Sequence, residues 1–372
     1  MTTQAYSVVC KGPATGMRRV IGPAACLCAL MAATLLSAAE PAGSRGTSAP
    51  AQSIMPDGAA QIRSAPGPSQ IVITTTSRLA GAIDSLRWNG REFINSFDHG
   101  RQLQSASNLD CGTPIKPETF NPTEAGSRRD GAGPVSSSRL LHMRVEPDAL
   151  QTLTQMAFWL APGEKSGPNP AKNTTVLSDH LLLKRLRIGY KQMPQVIPYE
   201  VVFSLPIGEH HTEAVFEALT GYMPPEFSQF LRYDPRENEL RPLSDGPGEI
   251  PHPVVLSLPE GTHAMGIYAP PQPAPFTTGP TYGRWRFQAE KVVKWNCVFR
   301  IRCAEGIPPG EYPFRMFVLV GDLDTVGQNL AALHAEFAGK PPEQRTEAVR
   351  RLGSPAPIAS PAVLTSPVGE AQ

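Results

Sequence analysis

The segment that most constrains the fold is WRFQAEKVVKWNCVFRIRC, residues 285–303. Its odd positions are mostly apolar: Trp285, Phe287, Ala289, Lys291, Val293, Trp295, Cys297, Phe299, Ile301 and Cys303. Its even positions include Arg286, Gln288, Glu290, Lys294, Asn296, Arg300 and Arg302. Successive side chains of a strand point to opposite faces, so a period of two predicts strand structure with one packed face and one wet face. That pattern belongs to antiparallel sheets, since parallel sheets are covered on both faces. The odd set, including Trp285 and Trp295, is expected in the core.

The same signal recurs along the chain in QIVITTT, RLLHMRVEP, QTLTQMAFWLAP, YEVVFSLPIG, HPVVLSLPEG, HAMGIYAPP and PFRMFVLVG. EHHTEAVFEALTGYMP fits strand or helix by its spacing, and its strand surroundings favour strand. The 40 prolines and 32 glycines read as frequent turns between short strands. Helix is scarce. DTVGQNLAALHAEFAG places Val326, Leu330, Leu333 and Phe337 on one stripe before Gly339, which predicts one short C-terminal helix packed outside the sheets. Residues 40–68 and 341–372 are rich in Ala, Pro and Ser without periodicity, so they are expected as a flexible linker and a disordered tail. Residues 69–340 remain as a single β domain.

The N-terminus carries an export pattern: Met17, Arg18 and Arg19, an apolar run from Val20 to Leu36, then Ser37 and Ala39 at the −3 and −1 positions of a cleavage site. Met17 is the expected start, residues 1–39 the expected leader, and the periplasm or exterior the expected location. The mature chain has no apolar run long enough for a membrane span. Its three cysteines, Cys111, Cys297 and Cys303, cannot all pair, and buried free thiols are expected. Lys plus Arg (34) and Asp plus Glu (33) nearly cancel, which argues against a nucleic-acid partner. No C-x-x-C, H-E-x-x-H, G-x-S-x-G, phosphate loop or dinucleotide fingerprint is present. His210 and His211 are adjacent, so on a strand they face opposite ways and do not share a metal. No metal and no cofactor is expected.

One stretch is too polar for a core. Residues 98–131 hold His99 and the acids Asp98, Asp110, Glu118, Glu124 and Asp130, with Arg101, Gln102, Gln104, Asn121, Arg128 and Arg129 among them. Planar amides, guanidinium groups and carboxylates are the side chains that satisfy sugar hydroxyls. A long polar loop on a sheet scaffold is where sites usually sit. The order of short strands, the WNGREFINSFDHGRQLQ opening, and FEALTGYMP followed by HAMGIYAP resemble the galactose-mutarotase-like superfamily, over roughly residues 69–340. That resemblance implies a large antiparallel β supersandwich. It also implies relatives among aldose epimerases and among domains of glycoside hydrolases and polysaccharide lyases.

The expected activity is hydrolysis, lyase cleavage or epimerisation of an oligo- or polysaccharide, with a carboxyl or imidazole moving the proton. Glu124 is the candidate acid–base group, with Asp98 and His99 as its partners. Arg101, Gln102 and Asn121 are candidate substrate binders, joined by Glu217 and by Tyr222 as a stacking platform. Each has a structural alternative: Asp98 and Arg101 as a turn-stabilising ion pair, His99 as a structural histidine, Glu124 as a turn cap. The competing function is a non-catalytic glycan-binding or envelope-structural protein on the same scaffold.

Overall fold

The computed structural model describes residues 56–338 and 340, apart from 68, 113 and 273–276. The leader, the first part of the expected linker and the expected tail lie outside the described residues. The longer strands, in chain order, are β1 (Ala60–Arg63), β2 (Ile71–Thr75), β3 (Ile83–Trp88), β4 (Leu103–Leu109), β5 (Arg139–Val145), β6 (Ala149–Phe158), β7 (Leu177–Arg187) and β8 (Val196–Leu205). They continue with β9 (Glu213–Met223), β10 (Gln229–Asp234), β11 (Val254–Ser257), β12 (Ala264–Tyr268), β13 (Thr277–Phe287), β14 (Val292–Arg302) and β15 (Gly310–Gly321). Helix α1 (Leu323–Phe337) follows, capped by the Asp322 carboxylate accepting from the Thr325 N–H at 2.7 Å.

Every pairing among these strands is antiparallel. A front sheet runs β13-β14-β9-β4 and continues through a single bridge, Ile83 to Leu103, into β3-β2-β1. A back sheet runs β5-β6-β7-β8-β15-β12-β11-β10. The short strand Pro122–Thr123 joins them, pairing Thr123 with Ala106 of β4 and with Ala157 of β6. The core fills the space between. Phe216 and Phe299 of the front sheet meet Phe203 and Phe314 of the back sheet, with ring centroids 4.9 Å apart for Phe203–Phe216 and 4.6 Å for Phe299–Phe314. Val326, Leu330, Leu333 and Phe337 of α1 seal the outside of the back sheet over Phe317, Leu319 and Tyr268. The fold is all-β with one C-terminal helix, as the alternation required.

Two expectations are corrected. The linker does not run to residue 68, because β1 pairs with β2 and buries Ile62 to 1% exposure. Nor does the odd set of 285–303 form one face. The chain reverses between β13 and β14, and Trp285 pairs with Lys294 while Arg284 pairs with Trp295. Directly paired residues share a face. Trp295, Cys297, Phe299 and Ile301 therefore point inward, and Trp285 lies half-buried on the outer face with Lys294. The three thiols are free, with Cys297 and Cys303 buried.

Candidate functional site

The outer face of the front sheet carries a row of polar side chains set by register. Glu217 of β9 sits opposite Ala106 of β4 and Val298 of β14, Thr220 opposite Gln104 and Asn296, and Tyr222 opposite Lys294. A bulge between Glu217 and Leu219 inserts one residue in β9. It lets odd-numbered Glu217 and even-numbered Thr220 share the outer face, as bulges beside sites commonly do.

Over this row opens a cavity of about 240 Å³. Gln104, Ala106 and Asn108 of β4 line it with Glu217, Thr220, Tyr222 and Lys294. Pro117, Glu118, Asn121, Thr123, Trp159 and Gly100 complete its wall. The wall is fixed by a backbone bond from Trp159 N–H to Asn121 C=O at 2.9 Å and by Glu118 N–H donating to the side-chain Oδ1 of Asn108 at 3.1 Å. Glu118 holds a left-handed φ of 67°, uncommon for a side chain of its size. Gly100 has a packing reason, since a Cβ there would lie 2.7 Å from Cη2 of Trp159.

The floor is electrostatically closed. Lys294 Nζ donates to Glu217 Oε2 at 3.0 Å, and the same oxygen accepts from Thr220 Oγ1 at 3.1 Å and Asn296 Nδ2 at 3.2 Å. Burial opposes ionisation of Glu217, but the Lys294 charge and these hydrogen bonds outweigh it and hold the carboxyl below its ordinary range. Burial likewise opposes the Lys294 charge, yet Glu217 and Tyr222 beside it push its pKa up. Burial pushes the Tyr222 phenol up. The ammonium lies 5.1 Å from the Tyr222 ring centroid and 5.0 Å from that of Trp285, cation–π distances that pin it between two rings.

Of the residues singled out in the sequence, Asn121, Glu217 and Tyr222 line this cavity, and the other five do not. Glu124 is fully buried between the sheets. It pairs with Lys184 of β7 at 2.5 Å and accepts from the Ser105 N–H at 3.1 Å, so it has no route to a ligand. His99 is 1% exposed and spans two backbone carbonyls, Gly131 O at 2.7 Å and Arg78 O at 2.9 Å. Asp98 pairs with Arg101 at 3.1 Å and accepts from the Gly100 N–H at 2.9 Å, the turn-stabilising arrangement. Arg101 also donates to Glu290 C=O and stacks on Phe97. Gln102 is buried and donates to Ser96 Oγ and Asp98 C=O. In these five the polar groups bond to neighbouring protein groups and not into the cavity. Sequence reasoning missed Glu118, Trp159, Thr220 and Lys294. The signal for Lys294 was present, because it stood on the polar side of the alternating segment.

No protein-family model and no curated protein matches the chain. Solved structures similar to it include a candidate aldose 1-epimerase from Klebsiella pneumoniae, 11% identical, covering 76% of this chain and 93% of that one with a TM-score of 0.37. The alpha-galactosidase from Lactobacillus brevis is 11% identical over 74% of this chain and 41% of its own, with a TM-score of 0.39. A heparan sulfate lyase from Pedobacter heparinus is 9% identical over 72% of this chain and 35% of its own, with a TM-score of 0.36. Among the described residues, no helix is long and apolar enough to cross a membrane.

Proposed function

We propose that this is an exported saccharide-binding protein whose ligand site is the cavity over β4, β9 and β14. The observation that carries the reading is that one cavity is lined by amide residues (Gln104, Asn108 and Asn121, each also bonded to backbone), a neutralised Glu217–Lys294 pair and the aromatic residues Trp159 and Tyr222. A few placed polar groups beside aromatic walls are the ordinary make-up of a small-ligand pocket. The cavity lies just below the roughly 300–1,000 Å³ of pockets for larger ligands, which suits a single sugar unit. With Glu217 and Lys294 cancelling, a neutral sugar fits better than a strongly charged one. The export pattern at Met17–Ala39 supports delivery outside the cytoplasm.

A second reading, catalysis on the bound sugar, is favoured by one observation: two carboxyl side chains, Glu118 and Glu217, line the same cavity. Glycosidases use such pairs. One experiment separates the readings. The purified protein is titrated calorimetrically against a panel of mono- and oligosaccharides, and the same mixtures are assayed for new reducing ends, unsaturated products and anomer exchange. Binding is expected for at least one sugar, and W159A should weaken it roughly tenfold or more, about 1.4 kcal/mol. Turnover lost in E217Q would establish catalysis, and binding without turnover a binder. No binding to any sugar by the folded protein sinks both.

A further inference from the structure

At the far end of β4 and β9 from the cavity floor, a second cluster stands apart. His180 comes from β7, and Glu209 and His211 from the loop between β8 and β9. Both imidazole Nε2 atoms lie 2.8 Å from the same oxygen, Oε2 of Glu209. All three ligand atoms fall within 4.8 Å of one another. The His180 and His211 side chains are 3% and 4% exposed, while the Glu209 side chain, at 26%, opens the group to solvent.

Local structure aims these side chains. His180 sits in an irregularity of β7, where four steps from Leu177 to Leu181 oppose two on β6, from Ala157 to Gln155. His180 nevertheless stays on the buried side of β7 with Ser178, Leu182 and Lys184. The His211 backbone is anchored through its carbonyl, which accepts from the Ile307 N–H at 2.6 Å. Its Nδ1 meets the backbone carbonyl of Asp110. Carbonyl and carboxylate oxygens only accept, so without a metal Nδ1–H donates to the Asp110 carbonyl and Nε2–H donates to Glu209 Oε2. This carbonyl bond to the far nitrogen is how metal-bound histidines are oriented. Phe120 walls the group, its ring centroid 5.4 Å from that of His211 and 6.1 Å from that of His180. Phe158 stands 6.4 Å from His180.

We infer that His180, Glu209 and His211 bind a divalent transition-metal ion, zinc by the chemistry of the donors. Two imidazoles and one carboxylate with further positions open to water are a zinc donor set. Bonds of about 2.0–2.1 Å at tetrahedral angles separate ligand atoms by about 3.3 Å, so the Nε2 and Oε2 atoms need part by only about half an ångström to admit the ion. The cation takes the place of the Nε2 protons that bridge His180 and His211 to Glu209, and those protons are released on binding. The sequence expectation of no metal weighed only the adjacent pair His210 and His211; the group here leaves His210 out and joins His211 to His180 and Glu209. His211 finds its partner on another strand.

The test uses the full mature chain, stripped with a chelator and titrated with zinc alone, with bound metal measured by elemental mass spectrometry. Cobalt substitution reads the geometry through its visible absorption. One zinc per chain is expected, together with a rise in Tm on zinc addition and intense tetrahedral-type cobalt bands. H180N and H211N should each lower zinc affinity by roughly 100-fold or more, above the 10–100-fold that changes to outer partners of a metal site cost. If either variant fails to fold, E209Q decides, because it keeps the shape of the side chain and removes the anionic ligand. No stoichiometric uptake by the folded wild type overturns the inference and leaves a metal-free His–carboxylate–His network. Wild-type zinc affinity in the folded variants overturns it too.

Discussion

Lys184→Met tests whether Glu124 is a structural group. Both side chains are at 0% exposure, and Lys184 Nζ bridges Glu124 Oε1 at 2.5 Å and the Gly81 carbonyl. Removing the ammonium leaves a carboxylate between the sheets, held by the Ser105 N–H at 3.1 Å. Breaking a buried pair from one side costs about 3–5 kcal/mol, because the surviving charge is uncompensated. Adding Glu124→Gln removes that charge while the amide oxygen still accepts from Ser105. What then remains is mainly the orphaned Gly81 carbonyl, about 1–3 kcal/mol. The double variant K184M/E124Q should therefore be more stable than K184M by about 2 kcal/mol, a rescue by a second mutation that independent sites do not show. Urea unfolding followed by circular dichroism, with unchanged m-values, measures it. A K184M loss below about 1 kcal/mol, or a double variant no more stable than K184M, would refute the buried-pair assignment. Saccharide affinity in the folded double variant should equal that of the wild type, since Glu124 does not reach the cavity.

Trp295→Ala should cost about 3–5 kcal/mol as a large core truncation, whereas Trp285→Ala should cost only about 1 kcal/mol, the worth of a partly exposed cation–π contact; equal losses in urea unfolding would mean the face assignment is wrong. Gly100→Ala should leave Tm within a few degrees and abolish measurable saccharide binding, because the new methyl displaces the Trp159 ring; unaltered binding by calorimetry argues against Trp159 as a platform. The Glu217 carboxyl is depressed in the folded state, so the stability it contributes is complete above the ordinary unfolded value of about 4.3 and is lost as pH falls through its lower folded value. Wild-type stability should decline below that point, and E217Q should lack this part of the decline; identical acid limbs in pH-dependent unfolding would contradict the Glu217–Lys294 linkage.

Fold class was legible because alternation is a direct consequence of strand geometry, and the helix because its apolar stripe repeats at helical spacing. What alternation cannot carry is parity across a turn. Phe287 pairs with Val292, so from Thr281 to Phe287 the residue numbers of each pair sum to an odd value and the two strands present opposite number sets to the same face. Read as one strand, 285–303 put Trp285 in the core. Read as a hairpin, it puts Trp285 beside Lys294 on the face where the cavity lies. The bulge in β9 has the same effect on Glu217 and Thr220. Strand β1 was missed for a different reason: four residues flanked by Gly, Pro and Ser are too few to show a period, and pairing with β2 supplies what propensity does not.

The site was less legible because residue type does not report direction. A carboxylate, a lysine and a nearby backbone N–H can build a sugar site or a buried cross-link between sheets, and Glu124 with Lys184 and Ser105 builds the second. Sequence separation hid the distinction, since Lys184 stands 60 residues from Glu124. The same separation hid Lys294 from Glu217, 77 residues apart, although the two occupy adjacent strands. It also hid His180 from Glu209. The polar stretch 98–131 is polar because it crosses the junction where the two sheets are tied together, and a junction of two sheets leaves many backbone groups to satisfy. His99, Gln102 and Asn121 each donate to, or lie against, a backbone carbonyl there. Only where that junction meets the outer face of β4 and β9 do Asn121 and Glu118 turn toward open space. A sugar site on this scaffold therefore occupies the margin of a structural seam, which predicts that variants at Asn121 change binding and stability together, while variants at Lys294 and Glu217 separate from those in the seam.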